Sequence, residues 1–146
     1  MTRPQTVLAF DFGLKRMGIA CGDTLTRHGA ARAAAAVHRG VPDWQAIARE
    51  VRALAPAILV GGAPYNVDGS EGALLAAARR FAAELERRFA LPVQLVDERF
   101  SSLEASEALK RRRASGARGR IKRAAIDSAA AAVILGRWFQ GEGEGT

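Results

Sequence analysis

Residues 6–23, TVLAFDFGLKRMGIACGD, decide how this chain folds. Two short apolar runs, 6–12 and 17–22, flank GLKR, the pattern of two strands joined as a hairpin. The first run carries one carboxylate, Asp11, close to its end and just before Phe12 and Gly13. Asp-x-Gly is a turn signal, and an acid closing a strand commonly accepts from backbone amides. An acid there can equally be mounted on the strand for chemistry.

Outward from the hairpin, HGAARAAAAVHR (28–39) favours helix by alanine content. It is short and follows a turn-like GDTLT, so a third strand is predicted. After Pro42 the period becomes helical, with Trp44, Ile47, Ala48, Val51 and Leu54 on one stripe and Asp43 as N-cap. AILVGG (57–62) reads as a buried strand and APYNVDG as a loop. Asp68 and Glu71 resemble a capping box for a helix presenting Leu74, Ala78, Phe81, Leu85 and Phe89. PVQLV (92–96) is another strand, and Ser101 with Glu104 offers a second capping box. The segment 123–139, RAAIDSAAAAVILGRWF, closes the series as a helix, and GEGEGT (141–146) reads as a disordered tail. Strands first without helices predict an antiparallel meander; strands separated by helices predict parallel additions to it. The expectation is one α/β domain over 1–140, with a mixed five-stranded sheet and helices on both faces.

Composition narrows the function classes. A chain of 146 residues, half hydrophobic and a quarter charged, is long enough for a real core. No apolar run reaches the roughly 18–20 residues of a membrane span, and the first residues lack a signal-peptide pattern. With one cysteine, Cys21, neither an internal disulfide nor a Cys-rich zinc site can form. A cytoplasmic location and no membrane partner are expected. The net charge of +7 is local: Lys110, Arg111, Arg112, Arg113, Arg118, Arg120, Lys122 and Arg123 are eight cations in an acid-free stretch, and the remainder sums to −1. Such a patch suits a polyanion, of which nucleic acid is the usual one. A solvated charge run is the alternative.

Two further acids join Asp11. VDERF (96–100) repeats the strand-then-acid arrangement with Asp97 and Glu98. Asp127 lies in a helix with few polar positions, with Arg123 one turn before it and Ala131 one turn after, so the C-terminal side of its stripe is apolar. Burying an unpaired carboxylate costs several kcal/mol, so such a group pairs, shifts its pKa or binds metal. Pairing with Arg123 is the plainer alternative. Acids from two strand ends and one helix, if they converge, suit hard cations such as Mg²⁺ or Mn²⁺. Two such ions can activate water and stabilise the leaving oxygen of a phosphodiester.

Taken together, FDFGLKRMGIA, PYNVDGSEG, VDERFSSLEA and IDSAAAAVIL resemble the YqgF or RuvX family, in its order and over nearly the whole chain. The family is described as Holliday junction resolvase and as a nuclease maturing the 5′ end of 16S rRNA. The resemblance implies a ribonuclease H-like fold and Asp11, Glu98 and Asp127 as the acidic catalytic and metal-binding set. It prefers Glu98 to Asp97. It also leads to RNA over branched DNA as substrate, with ribosomal particles as further partners, acting as monomer or homodimer. Arg99 would steady its turn or contact phosphate, and Lys15 and Arg16 would touch the scissile strand or stand as solvated hairpin residues. The alanine-rich third strand and VGGAP (60–64) depart from the family pattern without removing a carboxylate.

Other features point less far. GGAPYNVDGSEG is not a P-loop, but its place after a strand suits a substrate-facing loop in which Asn66, Asp68 and Ser70 meet a backbone. His28 and His38 have no cysteine nearby, and Trp44 and Trp138 sit on packing stripes. Two rival functions stand beside the nuclease: a non-catalytic RNA- or ribosome-binding factor, and a nucleotide phosphotransferase. The last needs two such domains to close over ATP, and this length offers one.

Overall fold

The computed structural model describes residues 3–64, 72–97, 123–141 and 143–144. The elements follow in the order β1 (Thr6–Asp11), β2 (Arg16–Asp23), β3 (Ala30–His38), β4 (Val41–Pro42), α1 (Trp44–Leu54), β5 (Ile58–Ala63), α2 (Ala73–Phe89), β6 (Val93–Asp97), α3 (Arg123–Phe139) and β7 (Gly143–Glu144). Among the described residues they form one sheet in the order β4-β3-β2-β1-β5-β6-β7. The first three strands run antiparallel, and β5 and β6 add in parallel beside β1. These five central strands are the ones the hydrophobic pattern predicts. Two-residue strands extend each edge.

Strand alternation splits the core into two layers. Leu8 and Phe10 of β1, with Met17, Ile19 and Leu59, pack against Ile47 of α1 and Phe81 and Leu85 of α2. Val7 and Ala9, with Ala20, Val60 and Val96, pack against Ala131, Ile134 and Leu135 of α3. Helices therefore cover both faces, as expected for strands buried on two sides.

Three details differ from expectation. The N-cap of α2 is Gly72, which makes no side-chain capping bond, rather than Asp68; residues 65–71 lie outside the described set. Leu75, not Leu74, joins Ala78, Phe81 and Leu85 in the buried stripe, and Leu74 is exposed. At helical spacing 74, 78, 81 and 85 share one side and 75 lies about a quarter turn off it, so periodicity favours Leu74, and the exchange in the first turn is set by how the helix end packs. Finally, Gly143–Glu144 pairs with Val96 and Leu95 where composition predicts a tail. The outer edge of β6 offers unpaired backbone groups, and a glycine-containing segment can lie flat against them. Asp43 caps α1 as predicted, its Oδ1 accepting from the Ala46 amide at 3.1 Å. Among the described residues no helix is long and apolar enough to cross a membrane.

Candidate active site

Asp11 is the last residue of β1 and is half-buried. By alternation it shares the α3 side of the sheet with Val7 and Ala9. Its cross-strand partner on β2 is Gly18. On β5 the register Phe10↔Gly61 runs on to Gly62, which pairs with Val96 on β6. Asp11 is thus flanked on both sides by residues without a side chain. A carboxylate at the end of a central strand, with a glycine as its partner on β2, is a rigid mount for a ligand.

The helix bearing the second acid is anchored beside it. Ser128, fully buried, accepts from the amide of Ile19 through Oγ at 3.3 Å. Ile19 follows Gly18, the partner of Asp11, and sits where the β2–β3 register shifts. A register shift leaves a strand amide without its ladder bond, and a buried amide needs a substitute acceptor. The sequence supplies one adjacent to Asp127. The backbone of α3 at position 127 therefore lies over the strand ends that carry Asp11. The Asp127 side chain lies outside the described residues, as does that of Arg123.

The far end of α3 is tied down by three more bonds. Trp138 donates from Nε1 to Gln94 Oε1 at 2.7 Å, and Arg137 donates to the carbonyl of Asp97 at 2.9 Å. Arg27 donates to the carbonyl of Phe139, where a cation also suits the negative end of the helix. One helix is thereby fastened both to β2, next to Asp11, and to the end of β6.

That end separates the two neighbouring acids. Val96 faces α3, so Asp97 has the parity of Val93 and Leu95, the side away from Asp11. Asp97 is on the wrong face to join Asp11. Glu98 itself lies outside the described residues, as do Asn66, Arg99, Lys110, Arg111, Arg112, Arg113, Arg118, Arg120 and Lys122. Lys15 is exposed in the turn that follows Asp11 and Arg16 is exposed at the start of β2, and the Lys15 carbonyl accepts from the Val37 amide at 2.9 Å. Among the described residues no three His, Cys, Asp or Glu side chains gather.

Sequence reading missed Ser128 and Arg137. Ser128 had a signal: one hydroxyl in a helix face otherwise made of alanine and larger apolar residues, where buried polar groups are hydrogen-bonded as a rule. Arg137 had none, because its partner is a backbone carbonyl.

This sheet, with helices on both faces and an acid ending its central strand, is a ribonuclease H-like fold. The RuvC protein of T. thermophilus, solved with a Holliday junction substrate, superposes with a TM-score of 0.55 at 14% identity over 94% of each chain. The yeast mitochondrial Holliday junction resolvase Ydc2 gives 0.51 at 10% identity, over 93% of this chain and 78% of that one. Likeness at that identity establishes the fold alone. The RuvX family model, described as Holliday junction resolvase, matches residues 5–141, and the chain belongs to that family. Among its relatives is a Coxiella burnetii protein, 44% identical over 134 residues and 91% of each chain. A Xanthomonas campestris protein is 43% identical over 141 residues, 97% of this chain and 91% of that one. Both carry the name "Putative pre-16S rRNA nuclease".

Proposed function

We propose that this chain, a nuclease by family, hydrolyses phosphodiester bonds with divalent ions held by Asp11, Glu98 and Asp127, and that it acts on the 5′ end of precursor 16S rRNA. The observation supporting this reading is the Ser128–Ile19 bond. It joins positions 109 residues apart and lays the Asp127 segment of α3 over the face that bears Asp11.

The described residues suit such ions. Asp11 offers hard carboxylate oxygens from a central strand, with Gly18 and Gly62 leaving its flanks without side chains. Mg²⁺ or Mn²⁺ bound there would supply the Lewis acidity for an in-line displacement at phosphorus. The protein's own part is positional. The strand holds Asp11 still, and α3, bonded at both ends, carries Asp127 to the same face. Parity disfavours Asp97 and so supports Glu98 as the third acid. Lys15 and Arg16, with the cations from Lys110 to Arg123, grip phosphates, and Asn66 and Arg99 add contacts at the strand ends.

The preference for RNA, ribosomal particles as further partners, and a cytoplasmic location rest on the names of the relatives. The family description favours a second substrate, the four-way DNA junction, whose symmetric cleavage asks for two copies of the chain.

The test is cleavage of a 5′-extended 16S precursor and of a four-way junction by the purified protein in Mg²⁺ or Mn²⁺. The precursor should be cut and the junction spared. Asp11→Asn and Glu98→Gln should each lower cleavage by about a thousandfold or more. Undiminished cleavage in either variant would remove the acids from the chemistry. No cleavage at all, together with salt-sensitive RNA binding, would leave a binding factor.

A further inference from the structure

On the side of the sheet away from α3, a pocket of about 220 Å³ opens between α2 and the segment formed by Gly40 and β4. Its walls include Phe12, Trp44, Ala77 and Phe81, and Arg80 and Glu84 also line it. We propose that this pocket takes one unpaired base of a nucleic acid strand whose neighbouring phosphate lies at Asp11. The proposal rests on the nuclease reading.

Position is the first support. Phe12 follows Asp11 directly, and successive side chains of a strand point to opposite faces. The pocket therefore begins one residue from the candidate ligand, across the end of the sheet. A strand with its phosphate at Asp11 has only to turn one base over the exposed Lys15 turn to enter.

Size and stiffness are the second. The volume is below the roughly 300 Å³ at which drug-sized pockets begin, so it has room for one planar ring rather than a whole nucleotide. Its aromatic walls are fixed before any ligand arrives. Phe12 and Phe81 lie 5.5 Å apart between centroids, and Trp44 stacks on Phe81 at 5.5 Å. The guanidinium of Arg88 sits 4.2 Å from the centre of the Trp44 ring. Preformed walls spare a ligand the cost of ordering them.

Charge is the third, and it selects the occupant. Arg80 is an exposed cation of the lining. The acid of the lining, Glu84, is already engaged by Arg87 and Arg88, whose hydrogen bonds hold its carboxyl below the usual range and so keep it ionised and paired. Positive charge around aromatic walls is how proteins hold single strands, with base–aromatic contacts adding to phosphate attraction. An apolar protein segment would gain nothing from Arg80, Arg87 and Arg88.

Trp44 is itself the reporter. In Trp138→Phe protein it is the sole tryptophan, and its emission is followed while a hexameric single-stranded RNA is added without divalent ions. Fluorescence anisotropy of the same RNA, end-labelled, reports binding anywhere on the protein. Saturable quenching is expected, coincident with the anisotropy change, whereas an RNA duplex should leave the emission unchanged. Ala77→Leu, which fills the pocket, should weaken binding about tenfold, the order of one lost base–aromatic contact. Arg80→Ala, an exposed change that disturbs no packing, should weaken it severalfold even if Ala77→Leu proves poorly folded.

RNA that binds without altering Trp44 emission would overturn the proposal, as would binding unaffected by both variants or equal quenching by duplex. Quenching by an apolar dye but not by RNA would overturn it in favour of a protein-docking surface. In each case Mg²⁺-dependent cleavage by the unaltered chain would still stand, so the pocket can fail without the nuclease reading. Loss of both cleavage and RNA binding would remove the two together.

Discussion

Across β1 and β2 the sheet shows two unlike faces. Toward α3 the paired residues are Val7 with Gly22, Ala9 with Ala20, and Asp11 with Gly18. Toward α1 and α2 they are Leu8 with Cys21 and Phe10 with Ile19, joined by Met17, Phe12 and the ring of Phe81. The second face has the volume and removes most apolar surface from water. The first is made of small side chains, so the helix backbone comes close. A Cβ added at Gly29 would lie 3.1 Å from the carbonyl oxygen of Ala132 in α3, and one at Gly22 would lie 3.1 Å from the Phe139 ring. Aspartate has a short side chain. Two aspartates from a strand and a helix can share an ion only if their backbones approach closely, and that is what the small face permits. The large face stabilises the fold; the small face brings α3 close to the strand that carries Asp11.

Substitutions can break that division. Phe10→Ala on the large face should cost about 3–5 kcal/mol, read as a fall in denaturation midpoint, while cleavage per folded molecule stays near that of the unaltered chain. Ala20→Leu on the small face should cost less, about 1–3 kcal/mol, because the added side chain forces α3 outward. Its cleavage should nevertheless fall at least tenfold, since a misplacement of 1 Å at a catalytic group can cost 10²-fold. If Phe10→Ala lowers cleavage per folded molecule as far as Ala20→Leu does, the two faces do not differ in role. Ser128→Ala is the finest probe. It strands the buried Ile19 amide at about 1–3 kcal/mol and loosens the end of α3 next to Asp127. Its signature should be a higher Mg²⁺ concentration for half-maximal cleavage, in a protein that still unfolds cooperatively.

Much of the architecture was legible because it rests on short-range patterns. The hairpin shows in the two apolar runs around GLKR, and α1 in its stripe and Asp43 cap. Even the alanine-rich β3 could be placed, since its flanking turns outweighed helix propensity. Only the first member of the α2 stripe changed, from Leu74 to Leu75, and its cap moved to Gly72, because helix ends depend on loop geometry that periodicity does not encode. Of the site, Asp11 was legible as an acid ending a strand. Ser128, Arg137 and the pocket beside Phe12 were not, since each depends on which distant backbone atom or ring comes to lie opposite.

The sequence by itself determined the order of the five central strands and of α1, α2 and α3, the hairpin that presents Asp11, the local origin of the basic charge and, through its four motifs, the family. Those properties follow from local propensity and from residue identity, which are written along the chain. Tertiary structure alone decided that Asp97 turns away from Asp11's face, that a serine on α3 completes the bonding of β2, and that Phe12, Trp44 and Phe81 enclose a pocket. Such relations join residues far apart in the chain, and only packing the sheet between its helices sets which of them meet.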